Sequence, residues 1–184
     1  MSSGAAAGTG DERVVEVRPE RPADGPAIAA VHTLAFGRVA EARLVEELRP
    51  TDAFVPALAL VALVDDAVVG HALFSRVTVE TAARPVAALA LGPIGVRPEW
   101  QCQGVGTALI RHGLAEARRL GHRLVVLIGH PDYYPRFGFA PARAQGLATT
   151  YPVPDAAFMA LDLQPTAPDR PRGLVRYPLA FDGV

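Results

Sequence analysis

Cysteine is nearly absent. The chain has one, Cys102, so no internal disulfide can close it. That suits a reducing compartment, and a cytoplasmic location is expected. Net charge is missing too: Lys+Arg is 18 and Asp+Glu is 19, a balance of 18 − 19 = −1. No global field then draws the chain to nucleic acid or to an anionic membrane, and neither is an expected partner. The local cluster Arg118, Arg119, His122 and Arg123 reads as a solvated helix end, where cations suit the dipole. The longest apolar runs, residues 54–64 and 86–96, are too short to span a bilayer. The opening MSSGAAAGTGDER lacks the basic start and apolar core of a secretory signal, and residues 1–12 read as a disordered tail. The histidines and the cysteine show no ligand spacing, so no metal is expected.

What is present supports one domain over residues 13–184. Half of the 184 residues are hydrophobic, enough for a sizeable core. No repeat and no linker divides them. Residues 14–17 read as a β-branched strand ended by Arg18-Pro19. Asp24 is placed to cap a helix carrying Ile28, Val31, Leu34 and Ala35, with Gly37 as its stop. A second helix is predicted over 40–48, with Leu44, Val45 and Leu48 on one face. Strands at 57–64 and 68–79 flank the turn Asp65-Asp66-Ala67, and Gly70 marks a bulge or a close packing site. Residues 86–96 predict a central strand buried on both faces, made irregular by Gly92-Pro93. A helix from Gly106 carries Ala108, Leu109, Leu114, Ala117 and Leu120 and ends at Gly121. Strands follow at 123–128, 158–163 and 175–181, with a short helix or turn at 131–137. This order implies a mixed α/β sheet.

The stretch Gln101-Cys102-Gln103-Gly104-Val105-Gly106-Thr107 joins the apolar strand to that helix. Glycines one residue apart at a helix start aim backbone N–H groups outward, where the peptide dipoles favour negative charge. Such a loop suits a phosphate or pyrophosphate. It is not a P-loop, because Gly106 is followed by Thr107 and Ala108 rather than Lys-Ser/Thr. It is not a dinucleotide fingerprint either, because Leu109 stands where a third glycine is needed. A glycine-rich turn that merely starts a helix is the alternative, and the surroundings decide between them.

The spelling Q-x-x-G-x-G resembles the acyl-CoA loop of the GNAT N-acyltransferase superfamily. Downstream, Tyr134-Pro135-Arg136-Phe137-Gly138-Phe139 resembles its Y-x-x-x-G-F signature. The run beginning Tyr133-Tyr134 resembles a bacterial subgroup spelled Y-Y-x-R-F-G-F. The resemblance implies a mainly antiparallel six- to seven-stranded sheet, helices on both faces and a splayed central cleft. It implies acetyl-CoA as co-substrate, its pyrophosphate on the amides of Gln103, Gly104, Val105, Gly106 and Thr107, with Gln101 opening the motif. It also implies that Ile94 and Val96 offer backbone contacts to the pantetheine arm. Tyr134 falls at the general-acid position, and a phenol titrating near ~10 is a proton donor at neutral pH. Tyr133 reads instead as part of an aromatic core with Phe137 and Phe139.

The implied reaction is direct acetyl transfer to a primary amine of a small molecule or peptide. The alternatives are an inactive acyl-CoA-binding module, another acyl donor or an O-acceptor. The base is open: residues 87–96 hold no acid, and Glu41, His71, His130, Asp132 or a water chain remain. Cys102 reads as a small packing residue rather than a nucleophile, and Trp100 as a loop anchor or surface lining. Glu41, Glu46 and Glu47 read as a solvated helix face. The segments expected to choose the acceptor, residues 36–54 and those beyond 140, carry no acid cluster suited to a polycation. A monomer or homodimer is expected.

Overall fold

The apolar run at 86–96 becomes the strand around which the sheet is organised. The computed structural model describes residues 14–166 and 170–184, so the expected tail at 1–12 lies outside the described residues. The elements run β1 (Glu16–Pro19), α1 (Gly25–Phe36), α2 (Ala40–Leu48), β2 (Ala59–Val64), β3 (Ala67–Glu80) and β4 (Val86–Val96). They continue with α3 (Val105–Arg119), β5 (Leu124–Ile128), β6 (Ala140–Pro141), β7 (Leu147–Thr149), β8 (Phe158–Asp162) and β9 (Gly173–Arg176). The strands stand in the order β1-β2-β3-β4-β5-β8-β6. β9 pairs with the far end of β3, and β7 with β9. Ladders are antiparallel except β4–β5 and β7–β9. This is the expected mixed, mainly antiparallel α/β sheet, with two short strands added beside the main path. No helix among the described residues is long and apolar enough to cross a membrane.

Local chemistry accounts for most boundaries. Gly37 takes φ 68° and returns its N–H to the Thr33 carbonyl at 2.9 Å, ending α1. Asp65 and Asp66 both take positive φ, 49° and 61°, so β2 and β3 join through a two-residue turn that suits their twist. One residue of β3 is extra at this hairpin: Ala62 faces Gly70 while Leu63 faces Val68. Gly70 is also the expected close packing site, since a Cβ there would lie 2.9 Å from Val105 Cγ1 of α3.

Four expectations about the elements change. The first strand, expected over 14–17, runs over Glu16–Pro19 and takes in Arg18 and Pro19. Asp24 stands at the start of α1 but makes no side-chain cap to it. Its carboxylate accepts instead from the Arg21 amide at 2.7 Å and from Arg18 at 2.7 and 3.0 Å. Leu120 is exposed, because α3 has ended and Gly121 turns the chain. The strand expected at 175–181 stops at Arg176, and Leu179–Gly183 forms a 3₁₀ turn. Pro178 between them has no N–H for the ladder.

The sheet buries both faces. On one face Leu109 and Leu114 of α3 pack with Phe74, Leu89 and Leu127 of the sheet, and on the other Ile28 of α1 and Leu48 of α2 pack with Val61 and Leu73. Val126, Phe158 and Val175 fill a third cluster beneath the later strands. Each such side chain contributes about 1.5–3 kcal/mol through burial. Two glycines set the helix distances. A Cβ on Gly113 would lie 2.5 Å from Phe74 Cζ, and one on Gly95 2.9 Å from His32 Nδ1, so α3 and α1 sit hard against the sheet.

Candidate active site

β4 and β5 pair in parallel only at Leu89–Val125 and Ala90–Val126, then part. Gly92-Pro93 lies where β4 carries an extra residue, for Ala72 faces Ile94 while Phe74 faces Leu91. Beyond this bulge β4 is not buried on both faces as expected: Gly92, Ile94 and Val96 are half-buried, because this length borders an opening. The opening is a cleft of about 990 Å³ between the diverging strands, reached by Ile94 and Val96 on one side and Ile128, Gly129 and His130 on the other.

The 101–107 loop lies at this cleft. Trp100, Gln101, Cys102 and Gly106 line it; Gln103 and Gly104 are exposed beside it, Thr107 is half-buried, and the Val105 side chain is buried in the core. Side chains brace the loop: Gln101 Nε2 donates to the Val96 carbonyl at 3.0 Å, and Gln103 Nε2 to the Glu99 carbonyl at 2.8 Å. Gly104 takes φ 85° just before α3, a conformation a side chain would strain. The first helical bond there runs from the Ala108 N–H to the Gly104 carbonyl at 2.9 Å. The amides of Gln103 through Thr107 donate to no backbone carbonyl among the described residues, as expected at a helix start. Cys102 corrects its packing assignment, being exposed with φ 58°.

Tyr134 opens a 3₁₀ turn at Tyr134–Phe137 and lines the cleft with only 8% of its surface exposed. It fits because Gly129 has no side chain; a Cβ there would collide with Tyr134 Cε2. Tyr133 and Phe139 pack edge-on against its ring at 5.1 and 6.0 Å. Burial, then Tyr133, pushes the phenol up to about 12, so it holds its proton across the physiological range. Tyr133 itself is half-buried and lines the cleft, with its hydroxyl 3.1 Å from where a Gly106 Cβ would stand. It packs against the core with Tyr134 and Phe137, as its aromatic cluster predicts, and also links the turn after β5 to the loop.

A sequence profile described as the Acetyltransferase (GNAT) domain matches residues 16–142. The chain belongs to the GNAT acetyltransferase family. An Escherichia coli K12 protein called the uncharacterised N-acetyltransferase YjhQ is 41% identical over 72% of this chain and 74% of its own. The crystal structure of the E. coli GNAT N-acetyltransferase YhbS in complex with CoA is 31% identical, covers 99% of this chain and 96% of its own, and superposes with TM-score 0.84. A Brucella melitensis GNAT acetyltransferase in complex with acetyl-CoA is 35% identical over 92% of this chain and 99% of its own, with TM-score 0.75.

The candidate bases of this GNAT domain separate clearly. His71 is wholly buried and turned away from solvent. Its Nε2 lies 2.9 Å from Glu20 Oε2, and its Nδ1 lies 2.8 Å from His32 Nε2. Glu20 is held in turn by Arg49 at 2.7 Å. A carboxylate only accepts, so His71 donates from Nε2 and accepts at Nδ1 from His32. His32 Nδ1 is then a bare lone pair, buried and without a partner among the described residues. Burial, then His71 and Arg49, lowers His32 to about 3. Burial likewise lowers His71 despite Glu20, and Glu20 is lowered by its bonds to His71 and Arg49 against the opposing pull of burial. His130 lines the cleft and is exposed; Asp132 is exposed and does not line it.

Glu41 departs most from its expected place. It is 4% exposed and lines the cleft, while Glu46 and Glu47 stay on the solvated face. The signal was available: Glu41 precedes Leu44 and Val45 by three and four residues, which puts it on their apolar face. Tyr151, Tyr177 and Phe181, which also line the cleft, had no such signal. Among the described residues no group of acids, histidines and cysteine could hold a metal ion.

Proposed function

We propose that this GNAT protein transfers the acetyl group of acetyl-CoA directly to a primary amine of a small molecule or peptide. The carrying observation is one cleft lined both by Gly106, within the run of unclaimed amides from Gln103 to Thr107, and by a buried, protonated Tyr134. The amides and the positive end of α3 suit the pyrophosphate. The β4 edge at Ile94 and Val96, opened by the bulge, suits the pantetheine arm as an added strand. The similar E. coli and B. melitensis structures, which hold CoA and acetyl-CoA, support the same assignment.

In this reading a neutral amine attacks the thioester carbonyl. A backbone N–H near Val96 meets the charge that develops on oxygen. The C–S bond breaks, and the departing CoA thiolate takes the proton of Tyr134. The nitrogen then loses its extra proton, leaving an amide, and a proton returns to the phenolate. Acetyl-CoA at a hundredfold excess over Kd is expected to stabilise the fold by about 2.7 kcal/mol in a denaturation assay. No stabilisation overturns the proposal. Tyr134→Phe is expected to lower kcat at least about 100-fold with cofactor affinity unchanged. An unchanged kcat removes the acid role, and binding without amine-dependent CoA release identifies an inactive module.

A further inference from the structure

The cleft continues past Tyr134 to a second wall that the cofactor assignment leaves unused. Phe36 of α1, Glu41 of α2, and Tyr151, Tyr177 and Phe181 from the C-terminal segments meet there. The rings form one unit: Tyr177 packs against Tyr151 and Phe181, each at 5.3 Å between centroids. The Tyr151 hydroxyl donates to Asp182 at 3.0 Å, which fixes the outermost ring. The Tyr177 hydroxyl is buried and has no partner among the described residues.

Glu41 is the one carboxylate side chain that lines the cleft among the described residues. Arg38, which also lines the cleft, holds both of its oxygens, with Nε 3.0 Å from Oε1 and 3.2 Å from Oε2, and itself stays largely exposed. Oε2, with one bond to Arg38 against two at Oε1, keeps a lone pair for a second donor. One anion against aromatic faces suits a single ammonium on an apolar body, because ring faces attract a cation and bury a hydrocarbon together. A polycation finds no second acidic side chain lining the cleft among the described residues and meets Arg38 there.

We infer that this wall is the acceptor site, and that it takes an arylalkyl primary amine, its nitrogen at Glu41 and its ring against Tyr151, Tyr177 and Phe181. This rests on the reading of the cleft as an acetyl-CoA site. Phenethylamine, hexylamine, spermidine and a lysine-containing peptide, each offered to the whole protein with saturating acetyl-CoA, test it by CoA release. Phenethylamine is expected to exceed spermidine and the peptide in kcat/KM by at least about tenfold. Glu41→Gln, close in shape, is expected to lower kcat/KM for phenethylamine by at least about tenfold while the acetyl-CoA thermal shift stays intact. Tyr177→Leu is expected to narrow the advantage of phenethylamine over hexylamine. Calorimetric titration of phenethylamine into the CoA-saturated protein reads the site without turnover. A preference for spermidine or the peptide overturns the inference, as does absent phenethylamine binding or a Glu41→Gln variant that binds it equally well. Absence of any acetyl-CoA shift instead overturns the cofactor reading.

Discussion

Acid is expected to unfold this protein in large part through His32. The ring is fully buried, its Nε2–H is committed to His71, and its Nδ1 faces Gly95 with no acceptor for a proton. Protonation would place an unpaired cation between α1 and β4. The folded value is about 3 against 6.5 for a free imidazole. A depressed folded pKa means that the unfolded chain binds the proton more readily. The stability is therefore intact above pH 6.5 and is lost as pH falls toward 3. Between pH 8 and pH 5 this one group removes about 2 kcal/mol, and at the acid limit about 5 kcal/mol. His71, lowered by the same burial, acts with the same sign. Against a total stability of about 5–15 kcal/mol, that loss at pH 5 is large, and it lowers Tm by about 4–8 °C. Urea unfolding at both pH values, followed by the fluorescence of Trp100, measures it. His32→Gln keeps an N–H donor for His71 but cannot titrate. The variant is expected to be less stable at pH 8 yet to lose about 2 kcal/mol less than the wild type on going to pH 5. Equal losses in the two proteins, within about 0.5 kcal/mol, refute the assignment of His32 as the buried neutral group.

Other consequences follow from close contacts and burial. Gly113→Ala drives a methyl into the Phe74 ring and is expected to destabilise the fold by about 1–3 kcal/mol in denaturant titration, whereas an unchanged midpoint would mean that α3 is not pinned there. Gly129→Ala collides with the Tyr134 ring, so kcat is expected to fall while the acetyl-CoA thermal shift persists; loss of both together would indicate a general collapse of the cleft. Because burial raises Tyr134 to about 12, kcat is expected to show no alkaline decline from this group between pH 8 and 10. A decline centred below pH 10 that vanishes in Tyr134→Phe counts against it.

Features readable along the chain are those whose causes are local. The 40–48 helix, the Asp65-Asp66 turn, the stop at Gly37 and the bulge at Gly92-Pro93 each depend on a few neighbouring residues, and each lies where expected. The 101–107 loop was legible for the same reason: the free amides belong to the first turn of one helix. β6 and β7, two and three residues long, are too short to leave a period in the sequence.

The sequence alone determined the family, the strand-loop-helix that suits a pyrophosphate, and Tyr134 as the candidate acid, because these rest on contiguous spelling and backbone geometry. Tertiary structure decided what each polar group faces. Glu20, His32 and His71 meet only when β1, α1 and β3 pack together, and the pairing removes His71 from the cleft. Tyr177 joins Glu41 across the whole fold. Glu41 changed from an assumed solvated acid to the single acidic side chain lining the cleft among the described residues, because packing of α2 turns its first turn inward. Burial, charge and the lining of the cleft depend on such distant neighbours, so they are properties of the packed sheet and its helices rather than of any one segment.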